Sequence, residues 1–257
     1  MRRRLQALRR GAFALAVPII LGAPPANGAD LAQNTPQDVA NVFAAAEEAA
    51  REGGFYFGSR SRFAATHDTE AFADGAAFGT SYDVSMGGGA LLGYDTGPRF
   101  GLIGLRGEFE VGYFQTSADE QTVNGVKQPD ERSVGTLTGF TGFANAYLDA
   151  HLQEFAAVSG TPVARVKPFV GAGVGVARVG LEDFGTFDEG VVIDSWDTSV
   201  AFQLSAGLRL AITERMSVEL GYRREMIPEL EFQARDGTDT GFDLTRDVFT
   251  VGLQRRF

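Results

Sequence analysis

The chain has no cysteine, two histidines (His67 and His151), one tryptophan (Trp196) and two lysines (Lys127 and Lys167). Without cysteine, a disulfide framework and thiolate metal ligation are both excluded. Two histidines far apart in sequence offer no metal or cofactor signature, and no cofactor is expected. Past residue 28 no apolar run approaches the roughly 20 residues that a membrane helix needs, which excludes helical spanning. Basic charge is also scarce. All five arginines of residues 1–28 lie in a stretch without acids, so the remainder carries 18 cationic against 33 acidic side chains, a net of −15. Phosphate backbones require a basic footprint, and this balance argues against nucleic acid.

The first 28 residues have the layout of a secretory signal. Basic residues are followed by the apolar "GAFALAVPIILGA", then by "PPANG" with small side chains at Ala26 and Gly28, and cleavage is expected after Gly28. Segment 29–53 contains one helix signature. Thr35 can cap, Pro36 suits the first helical position, and Asp38 lies near the positive end of the helix dipole. Val39, Val42, Phe43, Ala46 and Ala50 then share a face. A helix over 36–51 is expected, ended by the glycines at 53–54.

From Gly54 onward, with 33 glycines and 21 phenylalanines in the chain, the hydrophobic period becomes two. Eight strands are expected, at 54–64, 83–94, 99–115, 134–150, 166–179, 197–212, 215–228 and 245–257. Most exceed the usual ~5–6 residues of a soluble strand and approach the ~9–11 that cross a bilayer at a tilt. Ile103, Leu105, Phe109, Val111 and Tyr113 share one face of the third strand, opposite Arg106, Glu108 and Glu110. In the sixth, Val200, Phe202, Leu204, Leu208 and Leu210 oppose Ser199, Gln203, Ser205 and Arg209. The seventh sets Val218, Leu220 and Tyr222 against Ser217, Glu219, Arg223 and Glu225. Connectors alternate between short turns (95–98 and 212–215) and long polar stretches (65–82, 116–133, 180–196 and 229–244). Short turns at one end and long loops at the other is the build of a transmembrane barrel. The connector at 151–165 is longer than that rule asks.

The terminal "VGLQRRF", the strand count and the loop asymmetry together resemble the small outer-membrane β-barrels of the opacity-protein and outer-membrane-protein-A transmembrane type. The resemblance covers about 54–257. It implies an all-β, closed, antiparallel, eight-stranded up-and-down barrel, monomeric, set among outer-membrane lipids and lipopolysaccharide in a Gram-negative envelope. It also implies that the barrel-assembly machinery reads the closing strand, with Phe257 as its terminal aromatic and Phe249, Val251 and Leu253 on the lipid side. The helix at 36–51 departs from typical members.

Strand parity turns Arg60, Arg62, Arg106, Arg209, Arg223 and Arg256 inward against Glu108, Glu110, Glu219 and Glu225. An eight-stranded interior is only wide enough for side chains, and unpaired charges there are costly, so an ion-pair plug is expected. Two other readings stand beside it: a narrow porin-like conduit whose partners re-pair, and a lipid-modifying enzyme built on His67. One histidine beside Asp68 in a polar loop is ordinarily just solvated, so a non-enzymatic role in envelope integrity or adhesion is expected. "GAGVGVA" (171–177) lacks the spacing and following helix of a nucleotide fingerprint; Gly171, Gly173 and Gly175 instead point inward and leave room. Trp196 suits a membrane interface, and Pro228 is expected to end the membrane part of its strand.

Overall fold

The computed structural model describes residues 53–73, 76–100, 102–127, 133–151, 166–186, 192–233, 237 and 239–257. The expected signal and the helix at 36–51 lie outside them. Eleven strands follow in order: β1 (Gly54–Thr66), β2 (Thr69–Ala73), β3 (Ala76–Tyr82), β4 (Ser85–Phe100), β5 (Ile103–Val123), β6 (Val126–Lys127), β7 (Ser133–Ala150), β8 (Val166–Thr186), β9 (Val192–Ala211), β10 (Met216–Gln233) and β11 (Asp239–Arg256). Eight of them, β1, β4, β5, β7, β8, β9, β10 and β11, form a closed antiparallel ring. Closure gives every ring strand two neighbours, the condition for backbone polar groups to be satisfied in hydrocarbon.

The two faces meet different media. Phe55, Phe57, Leu92, Leu105, Phe109, Leu148, Val170, Val174, Leu204, Leu208, Leu220, Phe249 and Val251 are exposed on the outer wall, whereas Arg60, Arg62, Arg106, Glu108, Glu110, Glu219 and Arg223 are buried inside. That alternation inverts the pattern of a water-soluble barrel and matches a lipid-facing band.

The expected long polar loops are the principal correction. Residues 116–123, 180–186, 192–196, 229–233 and 239–244 are strand, and β2 pairs antiparallel with β3, which also pairs with the upper part of β5. These extensions invert the inside of the barrel. Leu137, Phe143, Ala177, Val179, Leu181, Ile193, Ala201, Ile227, Leu230, Phe232, Phe242 and Leu244 join Phe114 in one buried apolar cluster. Glu229, Glu231, Gln233, Asp239 and Asp243 face outward. Above the lipid band the wall therefore has the usual soluble pattern, apolar within and polar without. At the opposite end the connections are tight. The turn 212–215 is held by Thr213 Oγ1, which accepts from the amides of Arg215 (3.3 Å) and Met216 (3.0 Å). β4 runs irregularly through Asp95 and Pro98 to Phe100 instead of turning at 95–98.

Pro228 changes β10 without ending it. Having no amide to donate, it coincides with a register shift between Ile227 and Leu230 against β11. Glu229 takes a positive φ of 54°, a conformation non-glycine residues rarely adopt, and its amide is taken by Asp243 Oδ1 at 2.9 Å. The same kink separates β10 from β9. Their ladder runs from Ser217↔Ala211 to Met226↔Phe202 and stops.

Because Leu230 lies in the part of the apolar cluster that fills the extension, a charge placed there should loosen the extension and spare the ion-paired ring below it. Leu230→Asp is expected to make the outer half susceptible to limited proteolysis on intact cells while the heat-dependent shift in gel mobility persists.

Candidate functional site

The lumen of the lipid-embedded half is one continuous ion-pair network. Arg60 bridges Glu108 (2.9 Å) and Glu219 (2.6 Å) and also contacts Glu110. Arg106 holds Glu108, Glu219 and Asp149, each at 3.1 Å. Arg223 donates to Glu110 at 2.8 Å and to the Tyr147 hydroxyl at 3.1 Å, and the Tyr56 hydroxyl donates to Glu108 at 3.0 Å. Glu110 thus receives Arg60, Arg62 and Arg223, three guanidinium groups on one carboxylate. Charge-assisted contacts of this kind are what make buried charge tolerable.

Toward the short-turn end, Asp95 takes Arg209 at 2.8 Å and Arg256 at 3.3 Å. There a cavity of about 50 Å³ opens between Tyr56, Lys167, Arg209, Arg215 and Arg256. Toward the other end, Glu225 lies 3.4 Å from both Arg62 and Arg246. The Arg246 guanidinium stands 3.5 Å over the Phe114 ring. That cation–π contact is the boundary where the charged filling gives way to the apolar one.

All ten residues read as an inward network, Arg60, Arg62, Arg106, Glu108, Glu110, Arg209, Glu219, Arg223, Glu225 and Arg256, are placed inside and paired, with Arg256 at the mouth. Asp95, Asp149, Lys167, Arg246, Tyr56 and Tyr147 join them without having been expected; all six are buried and lie on the inward parity of their strands. Tyr56 shares its parity with Arg60, and Arg246 with Arg256. Small residues make room for the large ones: a side chain at Gly171 would run into Tyr147, and one at Gly93 into Tyr56. Of the closing-strand residues, Phe249, Val251 and Phe257 are exposed on the outer wall and Leu253 is half-buried.

His67 is not in a loose loop. It directly follows β1, and its amide donates to Thr245 O at 2.9 Å. Its Nε2 lies 2.8 Å from Asp247 Oδ2, whose other oxygen accepts from the Tyr222 hydroxyl at 2.7 Å. This outward clasp spans β1, β11 and β10 just above the lipid-facing Phe63, Phe249 and Tyr222. Trp196, expected at the membrane interface, lies higher on the wall: it is ten residues along β9 from Ala206, the partner of Tyr222, and sits beside Gly180 of β8, stacking with Phe140 at 6.1 Å and receiving Arg178 at 5.5 Å. In the extension, burial pushes the Tyr82 phenol up to about 12, and Thr69 contacts it at 2.8 Å. His151, beyond the end of β7, is buried. Burial, and then the charge of Lys167, hold its imidazolium below the ordinary 6.5. Neither ring nitrogen has a hydrogen-bond partner among the described residues.

Residues 39–257 match the outer membrane protein beta-barrel domain, and the chain belongs to that family. Among solved structures it is similar to the outer membrane protein OprG from Pseudomonas aeruginosa, at 13% identity and a TM-score of 0.52, covering 80% of this chain and 97% of that one. It is also similar to Neisserial surface protein A, at 19% identity and a TM-score of 0.39 over 79% and 97% of the two chains. The outer membrane protease OmpT from Escherichia coli is similar at 8% identity, with a TM-score of 0.48 over 79% and 97%. No curated protein matches the chain. Family and fold place the protein in the outer membrane. At these identities they do not carry an activity with them.

Two measurements probe the site. Glu110→Gln removes the carboxylate shared by Arg60, Arg62 and Arg223, and breaking a buried pair costs about 3–5 kcal/mol; urea unfolding in detergent micelles, followed by Trp196 emission, should register that loss. His151 has a lowered folded pKa, so the fold favours the neutral ring. Stability is then full above the unfolded value of 6.5 and falls as pH drops below it. His151→Gln is expected to flatten that acid-side decline in the same unfolding assay.

Proposed function

We propose that the protein is a non-catalytic, monomeric outer-membrane barrel whose work is done at its extracellular extension, in surface contact and envelope integrity. The observation that carries this reading is the filled lumen. Interlocked ion pairs occupy the lipid-embedded half and packed Leu, Ile, Val and Phe side chains occupy the half above it. Such an interior supports a rigid platform better than a conduit. The outward face of the extension is acidic and held by strand pairing, which suits recognition by shape and charge. Around the band the partners are outer-membrane lipids and lipopolysaccharide, with Tyr222 and the His67–Asp247 clasp at headgroup level. Phe249, Val251, Leu253 and Phe257 form the face that the barrel-assembly machinery would read.

The clasp supports a structural role over an enzymatic one. Asp247 is engaged by both His67 and Tyr222, and the cluster joins the first and last ring strands on the outer wall, not in a cleft. The narrow-channel reading is tested directly. The purified protein should give no unit conductance in planar bilayers; discrete steps whose size responds to Arg106→Ala or Glu108→Ala would establish a pore. The protein should fractionate with outer membranes and change gel mobility on boiling. Lipid A mass spectra from a deletion strain should match the parent.

A further inference from the structure

Between β9 and β10 the upper barrel wall is joined by side chains in place of a backbone ladder. The ladder ends at Met226↔Phe202. Beyond it the register is kept while the strands stand one side chain apart. Ser199 Oγ donates to Pro228 O at 2.5 Å, Glu231 N donates to Asp197 Oδ2 at 2.9 Å, and Gln233 N donates to Ser195 Oγ at 3.3 Å. The β9 partners recur at every second residue, and the two β10 amides they bind are likewise two apart. That is the spacing at which a paired strand offers its own hydrogen bonds. Each edge is otherwise secured on its far side, β9 by β8 and β10 by β11. Ser195, Asp197 and Ser199 thus take the places where a paired strand would offer main-chain groups.

We propose that this seam is a docking site for an extended basic peptide, which adds as a strand along the β10 edge over 228–233. Backbone groups of the guest would replace the three side-chain bonds, the recognition mode of strand addition. The charge beside the seam selects the guest. Asp194, Glu229 and Glu231 are exposed there, and Asp197 is half-buried within it, so alternate Lys or Arg side chains on the guest face carboxylates. The site lies above the lipid-facing band and opens to the outside. It rests on the surface-contact reading and names the chemistry of the partner.

The test uses the full-length protein in detergent micelles. Binding is read by isothermal titration calorimetry, since the Trp196 ring lies over β8, beside Phe140 and Arg178, and not at the seam. The probe is an acetylated hexapeptide of alternating valine and lysine. Saturable heat release is expected. Affinity should fall at least tenfold for the same peptide N-methylated on alternate residues, which keeps charge but removes backbone donors. In Ser195→Cys/Gln233→Cys, oxidation should abolish the response and reductant should restore it; the cysteine-free parent makes the bond unambiguous. Equal binding of the N-methylated peptide would reduce the effect to charge attraction and overturn the proposal. So would unchanged binding to the oxidised protein, or no binding at all. If oxidation instead blocks uptake of a spin-labelled fatty acid while the peptide fails to bind, the seam passes lipid and the peptide site falls. Should the cysteine pair prevent folding, the N-methylated arm decides alone. None of these failures touches fractionation or conductance, which test the surface-contact reading separately.

Discussion

Eight strands closed into a ring leave an interior no wider than the side chains that fill it, and everything else in this molecule answers to that limit. With no room for bulk water, each inward charge has to find its counter-charge across the lumen. Arg60 on β1 therefore reaches Glu108 and Glu110 on β5 and Glu219 on β10 at once. Contacts between strands so far apart in sequence form only when the ring has closed. The network therefore acts against partly closed forms: a barrel lacking one wall would leave several of these groups desolvated and unpaired.

The same limit explains why the filling changes with height. Inside the lipid band the outer wall must be apolar, and polar side chains have only the lumen to occupy. Above the band the outer wall meets water, and the lumen is free to be apolar. The chain makes that exchange at Phe114, whose ring carries Arg246 on one side of the boundary. On β10 the exchange coincides with Pro228 and Glu229. Glu225 faces the charged filling below, and Leu230 and Phe232 the apolar one above. The kink shifts the register at the level where the environment of both faces is reversed.

Period-two alternation made the lipid-embedded ring legible in the sequence, because there one face is nearly all hydrophobic. The ten inward charges followed from parity alone. The extensions were not legible for a physical reason. In 229–233 the apolar residues Leu230 and Phe232 alternate with Glu229, Glu231 and Gln233, which is an ordinary soluble strand pattern. Acids and glycines around it gave the stretch the composition of a loop. Asp95 escaped notice because it falls in the stretch expected to turn at 95–98, where parity does not settle which way a side chain points; Lys167 and Asp149 were legible, sharing the parity of Gly171 and of Tyr147. The His67–Asp247–Tyr222 clasp joins positions far apart in the chain and has no local signature.

The two seams of the barrel differ in the sense that chain connectivity demands. β1 and β11 are the ends of the ring, with no turn between them, and nothing but non-covalent contact keeps them together. They carry an unbroken ladder from Tyr56↔Arg256 to Thr66↔Arg246, continued by the His67 amide on Thr245 and closed by the His67–Asp247 contact. β9 and β10 are tethered by the turn 212–215, so their far ends can part without opening the ring below. Their ladder is intact through the lipid band and gives way only above it, where water can satisfy an exposed backbone group. Within hydrocarbon the same parting would leave donors and acceptors without partners. The wall is therefore continuous where the membrane requires it and side-chain-bridged where the solvent permits it, and it is above the membrane that β9 and β10 offer edges.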